Sequence, residues 1–257
     1  MSITPEQFAR IKSSLPVERG NVSIRQLNFL NAILYVLENG CKWRRLPREY
    51  GNWHTLYTRM NRWSKAGVLA RVFAHLQQAQ IIAVRLTVLS LDSTTVKVPP
   101  DGAGAPEKNG PPAIGKSRGG WTTKLHLVAA TDRCALRFRL SGGQAGDGPE
   151  GRVLLQGLTS PGRHCAMAMD CAYEGDATRA LVRQLGFKPV VPPHPRRRRP
   201  WRLNKRRYRR RNEVERLFRR LKSFRRIFTR YDKLDRMFAA YVSLALIVIC
   251  LRSVNTT

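Results

Sequence analysis

Acidic residues are the scarce commodity of this 257-residue chain: 17 aspartates and glutamates stand against 47 lysines and arginines, a net charge of +30. An excess of that size repels itself unless an anionic partner is at hand. Cysteine is also thin. Cys41, Cys134, Cys165, Cys171 and Cys250 are scattered and odd in number, with no C-x-x-C pair, which excludes a disulfide framework or a zinc ribbon and points to the cytosol. Long apolar runs are missing too. The longest, from Met237 to Leu251, falls short of the roughly 20 residues a membrane span needs and reads as a buried core helix. Met1 to Ser14 is polar and carries Glu6, unlike a signal peptide. Of the two usual partners for a basic chain, membrane surface and nucleic acid, nucleic acid fits better.

What is present falls into two parts, and the sequence predicts a helical domain over 1–82 and an α/β domain over 83–257. In the first, Ser23 is placed to cap a helix through Ile24, Leu27, Leu30, Ile33, Leu34 and Leu37 that Gly40 ends. Asn52 is placed to cap a second helix, Trp53 to Ser64, with Leu56, Met60 and Trp63 on one face and Arg59 and Arg62 off it. The turn Lys65-Ala66-Gly67 leads into a third helix, Val68 to Gln78. Helix, short glycine-containing turn and helix suits either a DNA-binding helix-turn-helix or a plain bundle. Trp43, Trp53 and Trp63 read as core.

From residue 84 the period turns strand-like. Arg85 to Thr94 reads as a strand with Asp92 at its end, Pro99 to Gly120 as a mobile basic loop holding Lys116 and Arg118, and Trp121 to Ala130 and Ala135 to Leu140 as two more strands. A helix over 149–158, a strand over 165–169 followed by Asp170, a helix over 176–185 and a strand over 188–191 complete the series. Three strands in a meander, then alternating helices and strands, predict a mixed sheet flanked by helices, the order of a ribonuclease-H-like fold.

The stretch YRRRNEVERLFRRLK, Tyr208 to Lys222, reads as one amphipathic helix. Val214, Leu217, Phe218 and Leu221 form its apolar stripe, and Arg211, Glu215 and Lys222 line up beside it. Asp92 and Asp170, each after an apolar strand, could meet at one sheet edge. Two carboxylates that close favour a neutralising cation, and magnesium takes one or two of them while leaving positions for water and phosphate. With Glu215 there are acids enough for two ions and in-line chemistry at phosphorus. Asp147, in the GGQAGDGPE loop, and Glu213 are the rivals for these places. The run RRRRPWRLNKRRYRRR, residues 196–211, feeds that helix and suits phosphate binding; Trp201 and Tyr208 within it suit base stacking or packing equally.

These motifs resemble a known family. Tyr208, Arg211, Glu215 and Lys222 match the Y-(2)-R-(3)-E-(6)-K signature of DDE transposases in the insertion-sequence-four and -five groups. GNWHTLYTRMNRWSKAGVL, LDSTTVKV, GKSRGGWTTKLH, GGQAGDGPEGR, MDCAYEGD and RRNEVERLFRRLKSFRRIFTRYDKLD, in order along nearly the whole chain, are similar to insertion-sequence-five-type transposases. The resemblance implies a metal-binding catalytic triad of Asp92, Asp170 and Glu215, two Mg²⁺ ions for which Mn²⁺ substitutes, and DNA contacts from Tyr208, Arg211 and Lys222, joined by Lys116, Arg118, Trp121, Arg209 and Arg210. It implies a bacterial, nucleoid-associated protein that binds terminal inverted repeats, exposes 3′-hydroxyls and joins them to target DNA as a homodimer or larger assembly. A nuclease of the same fold, or a repurposed DNA-binding protein, is the alternative. The 44 residues between Asp170 and Glu215 leave no room for the large β-insertion of group-four relatives. Cys171 stands where many members carry lysine or arginine.

Overall fold

The structure, a computed structural model, describes residues 2–18, 20, 22–83, 87–103, 113–158 and 165–253. In chain order the helices are α1 (Pro5–Lys12), α2 (Gln26–Asn39), α3 (Trp53–Lys65) and α4 (Val68–Ala83). Strands β1 (Val88–Lys97), β2 (Gly115–Ser117), β3 (Gly120–Ala129) and β4 (Ala135–Gly142) follow, then α5 (Asp147–Leu155), β5 (Ala166–Met169), α6 (Asp176–Gln184) and β6 (Lys188–Val190). The chain ends with α7 (Lys205–Tyr208), α8 (Asn212–Lys222), α9 (Arg225–Phe228) and α10 (Asp235–Ser253). The described residues form two compact units. One comprises residues 2–80, 98–103 and 220–253, the other residues 81–97 and 113–219. The linear division expected at residue 82 and this grouping differ over 98–103 and 220–253.

In the first unit α10 packs on α2, α3 and α9. The Met237–Leu251 run of α10 is buried except at Ala239, as a core helix requires. Gly40 ends α2 in the left-handed conformation (φ 65°), where a Cβ would be strained. The other end departs from expectation. Arg25 holds the cap position with no side-chain bond, and the Glu18 carboxylate accepts from the Gln26 amide at 2.8 Å instead of Ser23. An acid at a helix N-terminus serves as well as a hydroxyl there. Asn52 does cap α3, accepting from the His54 amide at 2.8 Å. Arg59 is tucked in rather than presented: its guanidinium lies 4.6 Å from the Phe29 ring centroid and donates to the Ile24 carbonyl at 2.7 Å. Trp43 and Trp63 are buried.

The second unit is a six-stranded mixed sheet with the path β2-β3-β1-β5-β6 and β4 also on β3. β1, β3 and β4 run antiparallel in meander, while β5 and β6 run parallel to β1. This is the ribonuclease-H-like strand order. Two corrections sharpen it. β1 extends from Val88 to Lys97, with Arg85 and Leu86 outside the described residues, because its ladder to β3 continues through Lys97↔Thr122. Asp92 is therefore mid-strand. The stretch expected as a mobile loop contains β2, which pairs Lys116 with Trp121; residues 104–112 lie outside the described residues.

The two faces of β1 meet different partners because successive side chains alternate. Leu89 and Leu91 join Val128, Leu154, Leu155 and Val182 under α5 and α6. Gly151 of α5 passes so close that a Cβ there would sit 2.5 Å from Tyr173 Cε1. Val88 joins Ala166, Ala168 and Val190, with Leu203 and Tyr208 against them. His126, fully buried on β3, shares a 2.8 Å hydrogen bond between Nε2 and Ser141 Oγ. Burial holds its pKa below the ordinary 6.5, so the folded state prefers neutral imidazole. The stability this confers is complete above 6.5 and is lost as the pH falls towards and through the depressed value. His126→Gln should flatten the fall of Tm below pH 6.5 relative to wild type; parallel Tm profiles would remove His126 from the acid response.

Candidate active site

Parallel pairing of β1 with β5 ends at Leu91↔Met169, so the next residues, Asp92 and Asp170, emerge from adjacent strands about 4.8 Å apart. Asp92 is nearly buried; its Oδ1 accepts from the Ser93 amide at 2.8 Å, as Asp170 Oδ1 does from the Cys171 amide at 2.7 Å. The expected single helix 208–222 is broken. α7 gives way to one turn of 3₁₀ helix, Arg209–Arg211, before α8 begins. That turn is held to β1 by Ser90 Oγ, which donates to the Arg210 carbonyl at 3.1 Å. Val214, Leu217, Phe218 and Leu221 are buried as the stripe predicted, leaving Glu215 at the edge.

Arg211 ties these acids together. Its Nη2 donates to Asp92 Oδ2 at 2.9 Å and its Nη1 to Glu215 Oε1 at 2.6 Å. Burial pushes the Asp92 carboxyl above its ordinary pKa; Arg211 and the Ser93 amide pull it down, while Asp170 and Glu215 push it up again. Burial alone would lower the Arg211 pKa, but Asp92, Asp170, Tyr208 and Glu215 outweigh it and raise it. The three acids and the guanidinium thus share one electrostatic neighbourhood. Among the described residues no three His, Cys, Asp or Glu side chains are grouped to hold an ion, and two of the acids spend an oxygen on Arg211.

Both rivals lie elsewhere. Asp147 opens α5 on the other face of β1, where its Oδ1 accepts from Ser93 Oγ and from Lys124 Nζ, each at 3.0 Å. Glu213 accepts from the Asp132 amide at 2.9 Å and pairs with Arg210 at 3.5 Å. The Ser93–Asp147–Lys124 chain was not anticipated. Lys124 and His126 fall on one face in the alternating WTTKLHLVAA, a signal that a polar pair lay under α5.

The basic residues divide as well. Arg209 and Arg210 are exposed, and so are Lys116, Arg118 and Trp121 around the β2–β3 turn. Lys222, two turns beyond Glu215 on α8, is half-buried, and burial lowers its pKa. Tyr208 packs on the Ala166–Ala168 cluster. Trp201 is settled as packing: its Nε1 donates to the Val191 carbonyl at 2.8 Å, and Arg179 and Arg197 sit 3.4 and 4.8 Å from its ring centroid. Arg197 also pairs with Glu174 and Asp176. Part of the basic run is thereby fastened down while its neighbours Arg196, Arg198 and Arg199 stay exposed.

A mixed sheet of this order, with aspartates emerging side by side from two parallel strands and a glutamate from a late helix, defines a ribonuclease-H-like polynucleotidyl transferase architecture. Residues 85–251 match the family described as "Transposase DDE domain", and residues 3–73 match "Putative transposase of IS4/5 family". The chain belongs to the DDE transposases, in the IS4/5 family. It is 32% identical over 109 residues to the uncharacterized protein y4sN of Sinorhizobium fredii, a match covering 41% of this chain and 83% of that one. The crystal structure of a pre-cleavage Mos1 transpososome aligns over 96% of this chain and 85% of its own, at 10% identity and a TM-score of 0.26.

Proposed function

We propose that this transposase binds the terminal inverted repeats of its own insertion sequence, hydrolyses the ends to expose 3′-hydroxyls and joins those hydroxyls to target DNA. The observation that carries the reading is the Arg211 guanidinium bridging Asp92 and Glu215 where the β1–β5 pairing ends and Asp170 follows. Carboxylates held on β1, after β5 and on α8 suit Mg²⁺, with Mn²⁺ able to substitute, and two such ions would supply an activated nucleophile and a stabilised leaving oxygen. The chain's own part is to hold the acids in register, keep Asp92 poorly hydrated and line the approach with cations. Hydrolysis and joining are both in-line displacements at phosphorus, so one site serves both steps.

Arg209, Arg210, Lys116, Arg118 and Trp121 are proposed DNA contacts because they are exposed; Arg211, Tyr208 and Lys222 are proposed from their places beside Glu215. The helical residues 1–82 are proposed to assist binding, and pairing of two ends calls for a dimer or larger assembly on DNA. A bacterial cytoplasm and its nucleoid are the setting such a substrate requires.

The test is to incubate DNA carrying the gene's genomic flanks with the protein and Mg²⁺ or Mn²⁺ and to map products on a sequencing gel. Defined cuts followed by joined strands are expected. Scattered nicks without joining would make it a nuclease, and binding without cuts a DNA-binding protein. Lys222→Ala should weaken end binding and reduce the slope of log affinity against log salt by about one unit. An unchanged slope would take Lys222 off the phosphates.

A further inference from the structure

The charge that neutralises the acids in this structure is a side chain, and that has consequences for anything else that needs them. We propose that Arg211 is an internal counter-cation competing with divalent metal for Asp92 and Glu215, and that DNA admits the metal by drawing the guanidinium away. The inference rests on the proposed function for its metal and its DNA, and on the site's geometry for the competition.

The guanidinium is permanently charged and cannot leave by losing a proton. It spans the two carboxylates with one nitrogen on each, at 2.9 and 2.6 Å. A metal ion bound to the same oxygens would have to displace both bonds, and a divalent ion beside a fixed guanidinium would meet direct repulsion. Removing Arg211 with nothing in its place would leave Asp92 buried beside Asp170 and Glu215, which is costly. The exchange is therefore one cation for another, not a simple opening.

The surroundings favour such an exchange. Arg211 Nε is buried and makes no hydrogen bond, so the bridge leaves one strong donor unsatisfied. The backbone is anchored by Ser90 Oγ to the Arg210 carbonyl, so movement falls to the side chain. Arg211 lies in a single 3₁₀ turn between two α-helical segments, a conformation with weaker internal hydrogen bonds. Its side chain is 20% exposed, and its neighbours Arg209 and Arg210 are exposed outright. A DNA backbone attracted to those two arginines brings phosphate oxygens within reach of the third, and arginine binds phosphate in the same forked geometry it uses for carboxylate. Linkage then makes the coupling reciprocal: DNA tightens metal binding, and metal tightens DNA binding, by one factor.

The experiment measures Mn²⁺ binding by the full chain with no cleavage involved, using the EPR signal of free Mn²⁺. Wild type, Arg211→Met, Arg211→Lys and the double variant Arg211→Met/Asp92→Asn are compared, each with and without a short duplex of unrelated sequence at low salt. The duplex alone and the double variant with duplex supply the background. Without DNA, Arg211→Met should bind Mn²⁺ at least about ten-fold more tightly than wild type, and the double variant should lose that gain. In wild type the duplex should tighten Mn²⁺ binding by a similar factor, and in Arg211→Met it should add little. Equal affinity of wild type and Arg211→Met without DNA, or no effect of the duplex on wild type, would overturn the proposal. If Arg211→Met does not fold, the wild-type pair of measurements and Arg211→Lys, whose shorter single-point cation should bridge poorly and bind metal more tightly, decide it. A protein that cuts and joins its ends yet shows no competition would sink this inference alone. Competition without any cutting would leave it standing and sink the transposition reading.

Discussion

Glu215→Gln abolishes cleavage of end DNA and leaves DNA binding in place: that is the expected result of the most informative single substitution. The side chain keeps its volume and length and loses its charge. Its helix is seated by Val214, Leu217, Phe218 and Leu221, all buried, so α8 stays where it is. Glu215 itself is 39% exposed, and an ion pair that accessible contributes about 0–1 kcal/mol to stability. What changes is the site. Arg211 keeps Asp92 but loses its second anion, and the acids fall from three to two, too few to hold a pair of divalent ions against phosphate oxygens. Gel shift with end DNA and product mapping on the same preparation check both halves. Glu213→Gln is the matched control. Its carboxylate serves the Asp132 amide and Arg210, and cleavage should persist. Cleavage surviving in Glu215→Gln, or failing only in Glu213→Gln, would dismiss the proposed triad.

Much of this site was legible in the sequence because its parts are local. An apolar run reaching an aspartate, twice, and a helix with a glutamate at the rim of its stripe are patterns of period two and 3.6. The signature spacing likewise put Arg211 one turn before Glu215. Two things were not legible. The bridge from Arg211 to Asp92 joins residues 119 positions apart, and no periodicity reports it. The faces of β1 were invisible until its register was known: Asp92 and Ser93 are neighbours in sequence and opposites in space, which is what parts Asp147 from the other acids. The strand's length was misread for a related reason. Thr95 to Lys97 pairs with Lys124 to Thr122 through backbone bonds that demand little of the side chains. The largest departure concerns the C-terminal residues. Read linearly they belong to the sheet domain, yet residues 220–253 join the N-terminal helices in one compact unit. The apolar run of α10 announced a core helix but not whose core. The residues that fasten it, in RRIFTRYDKLD, look from sequence like more of the basic surface.

Those residues carry the second large effect. Arg226→Met should destabilise the protein by about 3–5 kcal/mol, the usual cost of breaking a buried ion pair from one side, against a total of about 5–15 kcal/mol for a typical domain. Arg226 is 7% exposed and Asp232 8%. The guanidinium grips the carboxylate with two bonds, Nε to Oδ2 at 3.2 Å and Nη2 to Oδ1 at 3.1 Å. Nη1 donates to the Cys41 carbonyl at 3.0 Å, just past the cap of α2. Arg225 crowds that same cap, with its Cβ 3.1 Å from where a Cβ on Gly40 would be. Methionine fills most of the volume but leaves the Asp232 charge and the Cys41 carbonyl unanswered in a dry setting beside the Tyr241 ring, 5.4 Å from the guanidinium. The penalty belongs to the orphaned carboxylate more than to the lost bonds, and this separates the electrostatic account from a packing account. Arg226→Met/Asp232→Leu, which removes both charges, should recover most of the lost stability, since apolar replacement of a whole buried pair is often neutral. Urea unfolding of the two variants beside wild type measures it. A double variant no more stable than Arg226→Met would show that the pair matters for its shape and its link to Cys41. A single variant within about 1 kcal/mol of wild type would show that the charges are better hydrated than their burial implies, and that α10 is held by its apolar face alone.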